Sequence, residues 1–393
     1  MQGLFVSHRR LALIFGVLVL LLASCRHTPS VPKETSVSSA DTVALGENLF
    51  RYARNVTAYP TEYGYRMEVL NPWDSTQKLG QFALLKEGVP EANCPAGWEP
   101  VSIPAQSFVS FSSTQWSVFL LLDEIDRVKG ILEGRYVHDA RMKRLLDEGI
   151  VKDVGTESAK NIELMIQMHP DLLLYSPYFD GNQDPLKVTG AVLFPFADYL
   201  ETTPLGRAEW IRVVGLLTGR QHEADSCFEA IVHRYETLKA CCAEVVDKPT
   251  VFSDLAFNGQ WYIAGGQSYI ARLFADAGAE YLWKDNPSAA SFPLDAETIL
   301  AKARHADFWR VANSSSLPMT YASLQKENAV YGLFDAFRNR KILVCDIQET
   351  GYFETSQLEP DVLLADFIHF FHPERLTGIY ADYAPKYYHL MGE

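Results

Sequence analysis

The residues of this sequence that could carry chemistry do not form a recognisable catalytic centre. There is no GxSxG, HExxH, Walker loop or GxGxxG motif at a strand–helix junction, and no two of the ten histidines are four residues apart. Acidic residues are plentiful, but nothing in their spacing singles out one pair for acid–base work. We therefore predict that the protein is not an enzyme and that it holds no resident cofactor or metal ion.

Aromatic residues that follow predicted strands are better candidates for binding. Ligands of open α/β sheets bind outside the carboxyl ends of the strands, and an amphipathic ring there can stack on a flat ligand while presenting a polar edge. Any one such ring can equally belong to the core or to a pocket rim. Together they favour a sizeable planar or chelated ligand over a single amino acid or sugar. They are Tyr136, Tyr175, Tyr178, Trp261, Tyr262, Phe292 and Tyr352.

Length and composition indicate a folded chain of two domains. The 393 residues are 48% hydrophobic and 21% charged, which suffices for two ordinary domains with sizeable cores. The formal net charge is −14. An acidic chain lacks the basic surface that displaces counterions from nucleic acid, so the charge argues against a nucleic-acid partner.

Residues 1–24 are predicted to be a signal peptide. His8, Arg9 and Arg10 give a positive start, and an apolar run of 12 residues follows, from Leu11 to Leu22. This run is too short for a comfortable membrane span.

Cys25 is the predicted lipidation site. The stretch Leu-Ala-Ser-Cys, which ends at Cys25, resembles the lipobox of bacterial lipoproteins. This resemblance implies that the chain is cleaved before Cys25 and that the Cys25 thiol carries a lipid. The alternative is a plain secretory signal with an incidental cysteine. Residues 25–42 are predicted to be a lipidated, flexible tether, because the stretch is rich in Ser, Thr and Pro. We expect a monomeric protein of the cell envelope or periplasm that meets the membrane through its lipid anchor only.

A long amphipathic helix over residues 222–245 organises the rest of the chain. Gly219 ends the helical stretch before it, and Pro249 stops it. Its apolar residues recur every three or four positions and form one stripe, at Ala224, Cys227, Phe228, Ile231, Val232, Tyr235, Leu238, Cys242 and Val245. A helix that joins two α/β halves is the layout of a two-lobed binding protein; an ordinary long helix inside one domain would give the same pattern.

Alternating strands and helices on both sides of this helix predict an α/β fold of two Rossmann-like lobes with parallel sheets. Hairpin-like strands precede the first lobe. The predicted segments are a β-rich extension of the first lobe (43–105), an N-terminal α/β lobe (106–221), the connecting helix (222–245), and a C-terminal α/β lobe with a closing helix (246–393).

The two halves share a short internal pattern. Glu163 and Glu297 each open a predicted helix, and each helix leads to an aspartate, Asp171 or Asp307, followed by an apolar strand. We interpret this pattern as a pseudo-repeat between the lobes.

Four segments carry a resemblance to a known family: SAKNIELMIQMHPDLLLY, ADYLETTPLGRAEWIRVVGLLTG, WYIAGGQSYIARLFADAGAEYLW and LEPDVLLADFIHFFHPERL. These segments, together with the order of the strands, the long helix and the last helix, resemble a family of ABC-transporter substrate-binding proteins. The family carries iron-siderophores, haem and cobalamin, and the segments are most similar to its Bacteroidetes-type lipoproteins. The resemblance covers roughly residues 41–376. It implies a receptor that works with an ABC permease and its ATPase.

The resemblance also implies roles for single residues. Glu163 and Glu297 match the glutamates, one per lobe, that dock into arginine pockets of the permease; the alternative is that each simply favours its helix dipole. Segments that line the interlobe cleft of such proteins contain Tyr136, Thr156, Tyr175, Tyr178, Trp261, Phe292, Tyr352 and Glu354, and Tyr262 completes the predicted ligand-binding set.

The sequence departs from these relatives near its last helix. An Asn/Gly-rich loop is replaced by the acidic stretch at residues 346–352, which leaves the ligand open. An arginine cluster for siderophore carboxylates is not evident, although Arg135, Arg207 and Arg310 are candidate single anchors. Tyr136 or His138 could ligate haem iron.

We therefore expect a solute-binding receptor of an ABC importer that captures an iron(III)-siderophore or related metal complex. Haem and cobalamin are the alternative ligands. An envelope hydrolase or chelatase that uses the same cleft, or a haem or metal store without transport, are the alternatives of other classes.

Overall fold

Two parallel β-sheets and one long helix form the framework of the protein. The computed structural model describes residues 46–178, 181, 183–315 and 317–392. The predicted signal peptide, the tether and Cys25 lie outside the described residues. The predicted fold class is confirmed, because the sequence forms two lobes with parallel sheets, a helix between them and a β extension before the first lobe.

The β extension is a four-stranded sheet in the order β1-β2-β3-β4. Its first three strands form antiparallel hairpins, whereas β3 and β4 pair in parallel. Its strands are β1 (Val56–Thr61), β2 (Gly64–Leu70), β3 (Lys78–Lys86) and β4 (Glu99–Ile103).

Two buried glutamates of the first lobe hold the start of this extension. Glu209, which has no exposed surface, accepts hydrogen bonds from three successive backbone N–H groups, at residues 51–53. Glu201 accepts from the next two, at residues 54 and 55. The carboxylates replace the water that these N–H groups would otherwise bind, so the chain before β1 has a fixed path over the lobe.

The N-terminal lobe contains a five-stranded parallel sheet in the order β11-β10-β5-β6-β7. Its near-continuous apolar strands are typical of a sheet covered on both faces. The lobe comprises β5 (Phe108–Ser110), α1 (Ser113–Leu121), β6 (Val128–Ile131), α2 (Ala140–Asp147), β7 (Lys152–Asp153), β8 (Gly155–Thr156), β9 (Ala159–Lys160), α3 (Ile162–Met168), β10 (Leu172–Tyr175), β11 (Val192–Pro195), α4 (Pro204–Ala208) and α5 (Ile211–Thr218).

Helix α6 (Gln221–Cys241) connects the lobes. Its 21 residues span about 32 Å at 1.5 Å per residue. The prediction of 222–245 extends too far, because the chain turns at residues 242–244. The buried side chains of α6 belong to the predicted stripe and are Ala224, Phe228, Ile231, Tyr235 and Leu238. Among the described residues, no helix is both long and apolar enough to cross a membrane.

The C-terminal lobe repeats the plan with a sheet in the order β15-β12-β17-β18-β19, of which only the edge strand β19 is antiparallel. It comprises β12 (Thr250–Ser253), β13 (Ala256–Phe257), β14 (Gln260–Ile263), α7 (Tyr269–Asp276), β15 (Glu280–Tyr281), β16 (Phe292–Leu294), α8 (Ala296–Ala303), β17 (Phe308–Asn313), α9 (Tyr321–Glu327), α10 (Asp335–Arg338), β18 (Ile342–Asp346), α11 (Ile347–Thr350), α12 (Tyr352–Thr355), α13 (Pro360–Phe371) and β19 (His389–Leu390).

The predicted pseudo-repeat has the same hydrogen bonds in both lobes. The backbone N–H of Asp171, before β10, donates to the hydroxyl of Ser107, before β5, at 2.9 Å. The backbone N–H of Asp307, before β17, donates to the hydroxyl of Thr250, in β12, at 3.0 Å. In return, the carboxylate of Asp171 accepts a hydrogen bond from the backbone N–H of Ser107, and the carboxylate of Asp307 accepts one from the backbone N–H of Thr250. Each aspartate therefore fixes the start of its strand against a neighbouring strand.

We expect Glu209→Ala to lower the free energy of unfolding by about 3 kcal/mol, because the substitution leaves buried N–H groups without an acceptor. Guanidinium denaturation of the detergent-solubilised chain would measure the loss. Glu229→Ala is the matched control: Glu229 also pairs with Arg212, but its side chain is 49% exposed, so we expect a loss of no more than about 1 kcal/mol. Equal losses in the two variants would contradict the role assigned to Glu209.

Candidate functional site

Two cavities lie between the lobes, at the carboxyl ends of the two parallel sheets. The smaller one, here called the Tyr136 cavity, has a volume of about 280 Å³. The larger one, here called the Arg310 cavity, has a volume of about 760 Å³. Both sit where an open α/β sheet binds its ligands.

The Tyr136 cavity is built from loops that follow parallel strands of both lobes. Residues 111–113 follow β5, residues 132–138 follow β6, and residues 347–354 follow β18. The side chain of Tyr136 is 48% exposed, and the guanidinium of Arg135 lies 4.7 Å from the centre of its ring. His138 lines the same cavity, so the two residues predicted as possible iron ligands are close together. The described residues contain no group of three or more His, Cys, Asp or Glu that could hold a metal ion.

Glu354 joins the two lobes at this cavity. It belongs to α12 of the C-terminal lobe, yet its carboxylate accepts hydrogen bonds from the backbone N–H groups of His138 and Asp139, at 2.5 and 2.8 Å. Only 5% of Glu354 is exposed, and burial raises the pKa of its carboxyl although these two N–H groups favour the charged form. The prediction placed Glu354 against the ligand; in the structure it lines the Tyr136 cavity and caps the loop that leads into α2.

Further contacts join α12 to α1 of the first lobe. The hydroxyl of Ser113 donates to the backbone carbonyl of Phe353 at 3.1 Å, and the Gln357 amide donates to the hydroxyl of Ser117 at 2.7 Å. Residues 353–357 therefore form a hydrogen-bonded bridge at one end of the cleft.

The Arg310 cavity lies at the ends of β11, β12 and β17. Arg310 itself is 8% exposed and donates to Asp254 and to the Tyr388 hydroxyl, at 2.9 and 2.8 Å. Burial disfavours its charge, but the nearby Tyr388 and Asp254 raise the pKa of its guanidinium, so Arg310 stays charged and forms an ion pair with Asp254 on the cavity wall. Of the three predicted arginine anchors, only Arg310 lines this cavity.

Three further tyrosines lie on or beside the segments that line the two cavities. Tyr175 ends β10, which lies between β5 and β11 in the sheet. The loop after β5 lines the Tyr136 cavity, and the loop after β11 lines the Arg310 cavity. Tyr199 lines the Arg310 cavity, and burial raises the pKa of both tyrosines to about 12. Tyr352 is 9% exposed and interacts electrostatically with Arg310. The phenols of Tyr175 and Tyr199 are therefore uncharged near neutral pH and can donate hydrogen bonds. Tyr178, three residues beyond β10, is half exposed.

Trp261 was predicted to bind ligand, but it is a core residue. It has no exposed surface, and its indole N–H donates to the Ser253 carbonyl at 3.0 Å. Its ring packs against Phe252 and Trp309. Side chains alternate between the faces of a strand, so the neighbouring Tyr262 points outward and is 46% exposed.

The other predicted residues lie away from both cavities or at the surface. Tyr262 and Phe292 belong to the small antiparallel sheet β13-β14-β16 and line neither cavity. Thr156 is half-buried in β8, where its hydroxyl contacts that of Ser158 at 3.3 Å. Glu163 and Glu297 are exposed in the first turns of α3 and α8, one in each lobe.

Sequence reasoning missed part of the Arg310 cavity. Asn55 and Trp73 of the β extension line it, as do Asp254 and Tyr269 of the C-terminal lobe. Tyr269 lies in one of the segments that carry the family resemblance, which was a usable signal. No motif marks Asn55 or Trp73, because their place in the cleft depends on how the extension packs.

Three comparisons relate the chain to known proteins. The profile of a family described as periplasmic binding protein matches residues 109–349. An uncharacterized lipoprotein of Methanocaldococcus jannaschii is 25% identical, over 95% of this chain and 96% of the relative. Among solved structures, an ABC transporter substrate-binding protein from Listeria monocytogenes has a TM-score of 0.54 at 19% identity, and covers 68% of this chain and 99% of its own. A periplasmic heme binding protein from Pseudomonas aeruginosa has a TM-score of 0.53 at 18% identity, and covers 68% of this chain and 93% of its own.

We expect Glu354→Ala to loosen the bridge between the lobes, because the backbone N–H groups of residues 138 and 139 lose their acceptor. Hydrogen exchange followed by mass spectrometry should show faster exchange in peptides that cover residues 136–142 and 351–358. Glu349→Ala, an exposed glutamate of α11, is the control and should leave exchange in both peptides unchanged. Unaltered exchange in Glu354→Ala would show that the bridge does not depend on this carboxylate.

Proposed function

Since the chain belongs to the periplasmic binding protein family, we propose that it is the solute-binding receptor of an ABC importer. It captures an iron(III)-siderophore or a related metal complex in the cleft between its lobes and delivers it to a permease. The observation that carries this proposal is the pair of cavities at the carboxyl ends of the two parallel sheets, lined by tyrosines and by a fixed arginine.

The cavity walls suit a metal chelate better than a small polar solute. The Arg310 cavity, about 760 Å³, falls in the range of sites for cofactor-sized ligands, and the Tyr136 cavity, about 280 Å³, lies just below that range. Tyr136 and Tyr199 offer rings that stack on flat groups, and Arg310 offers guanidinium N–H donors beyond those that bind Asp254 and Tyr388. The iron arrives inside its chelate, so the receptor recognises the organic shell.

Haem is the alternative ligand with a specific observation in its favour. Tyr136 and His138 line the same cavity, and phenolate and imidazole are both haem-iron ligands. One of the solved structures that resemble this fold is described as a periplasmic heme binding protein. Cobalamin remains a further alternative of the same kind.

The connecting helix limits how this receptor closes. Helix α6 is continuous over 21 residues and packs against α5 and α13. Bending it would break packed turns, so the lobes close by a small rotation instead of a wide hinge motion. Release of the ligand then depends on contacts made by the permease at both lobes.

The location of the receptor in the cell follows from the same proposal. Cys25 carries the lipid that holds the receptor at the cell envelope, and the tether (25–42) lets it reach a permease in the membrane. The similarity to a relative described as a lipoprotein, which extends over 95% of this chain, supports this anchoring.

We expect Tyr136→Ala to raise the dissociation constant for the cognate chelate about tenfold, because the variant loses an aromatic contact. Tryptophan quenching would be titrated with haemin, cyanocobalamin, ferrioxamine B, ferric enterobactin and ferric citrate. Tyr262→Ala removes a tyrosine of similar exposure, 46% against 48%, that lines neither cavity, and should bind as the unsubstituted protein does. If the unsubstituted protein binds none of these probes, the metal-complex proposal is wrong.

Glu163 and Glu297 are the proposed contacts to the permease. We expect Glu163→Arg with Glu297→Arg to abolish most of the ligand-stimulated ATPase activity of the reconstituted importer, with a larger loss at low salt, because paired charges set register and encounter rate. Ligand affinity should not change. Glu87→Arg with Glu91→Arg, at two exposed glutamates of the β extension, is the charge-matched control. Normal stimulation by the double variant would rule out docking through these residues.

A further inference from the structure

The β extension forms part of the Arg310 cavity, although it lies outside the region that matches the family. The match begins at residue 109, after the last strand of the extension has ended at Ile103. Four of its residues nevertheless line the cavity, together with loops of both lobes: Arg54, Asn55, Pro72 and Trp73. The cavity therefore has three walls, and one of them is an addition to the two-lobed framework.

Asn55 is held firmly in this third wall. Its backbone N–H donates to Glu201 at 2.9 Å, and the carboxylate of Glu201 is fixed in turn by the indole N–H of Trp210 at 3.0 Å. Glu201 is only 3% exposed. The backbone of Asn55 is thus fixed at the cavity wall.

The amide nitrogen of Asn55 lacks a hydrogen-bond partner among the described residues. Only 7% of the residue is exposed, and its amide nitrogen, Nδ2, is buried without a hydrogen-bond acceptor among the described residues. Across the same cavity, the hydroxyl of Tyr269 is likewise buried without a partner. Buried polar groups are normally paired, so two unpaired groups at one cavity indicate that a ligand supplies the missing atoms.

The acidic groups of the same walls are already occupied. Glu201 accepts from the backbone of residues 54 and 55 and from Trp210. Asp254 accepts from Arg310 and from the hydroxyl of Ser253. What remains for a ligand is mainly N–H and O–H donors, so the walls match a group that presents oxygen acceptors.

Trp73 adds an apolar surface to this polar wall. It sits in the turn between β2 and β3, where its backbone N–H donates to the side chain of Asn71 at 3.0 Å. Its side chain lines the cavity and remains 37% exposed. An indole at the rim of a cavity can cover the flat part of a ligand while the amide of Asn55 binds its edge.

We infer that the β extension is a specificity element of the ligand site, in which Asn55 and Trp73 contact the bound chelate directly. Asn55 and Tyr269 donate hydrogen bonds to carbonyl, hydroxamate or carboxylate oxygens of its organic shell, and Trp73 covers its outer face. This inference rests on the proposed function, and it assigns to that site an oxygen-rich chelate large enough to reach the third wall.

The test uses the full-length chain in mild detergent and the five probes named above. Asn55→Leu should raise the dissociation constant of the bound probe about tenfold, the usual effect of losing one buried hydrogen bond to a ligand. Its melting temperature without ligand should stay the same or rise, because the amide that is removed has no partner in the free protein. A merely structural role for Asn55 would instead lower the melting temperature.

Trp73→Ala should weaken the same probe to a similar extent. Trp98→Ala is the matched control, because Trp98 belongs to the same extension but packs on Arg66 and does not line the cavity. This variant should bind the probe with the affinity of the unsubstituted protein. Trp73 is a surface residue, so this variant remains informative even if Asn55→Leu does not fold.

The outcomes separate the two proposals. One outcome is that a probe binds, that Tyr136→Ala weakens its binding, and that Asn55→Leu and Trp73→Ala both bind it normally. In that case the receptor proposal stands and the role proposed for the extension is wrong. If no probe binds the unsubstituted protein, both proposals fall. Weakened binding in Trp73→Ala and Asn55→Leu, with a normal Trp98→Ala, is the result that we expect.

Discussion

The carboxylate of Glu209 is the contact on which the arrangement of the cleft depends most. It is a charge with no exposed surface, and such a group is tolerated only when donors surround it. Three successive backbone N–H groups and the guanidinium of Arg212 supply them. Arg212 in turn pairs with Asp225 and Glu229 of α6. One anion therefore ties the β extension, the first lobe and the connecting helix together.

The same device recurs at other places where distant segments meet. Glu354 caps a loop of the opposite lobe. Asp366, in α13, accepts from the backbone N–H groups of three successive residues, 386–388, and so places Tyr388 against Arg310. A carboxylate that collects neighbouring N–H groups fixes a stretch of irregular backbone much as a turn of helix would. The cleft walls owe their shape to these anions more than to regular pairing.

The elements of this fold were readable from sequence because they depend on local periodicity. The stripe of α6 is buried as its spacing required, and the aspartates 171 and 307 have equivalent hydrogen bonds in the two lobes. The site was harder to predict. Trp261 and Tyr262 are neighbours with the same aromatic character, and only tertiary packing decides which one faces the core. Asn55 carries no motif at all, since its position follows from Glu201, 146 residues away.

Each lobe is a single uninterrupted stretch of chain, and the two are covalently joined only through α6. During synthesis or export the first lobe can emerge whole, and domains generally fold as units from the N-terminus. The C-terminal segments at the two cavities, residues 347–358 and the stretch around Tyr388, follow α6 in the chain and therefore emerge after the whole first lobe. A chain delivered only as far as α6 can thus hold a formed first lobe whose cavities still lack their opposite wall.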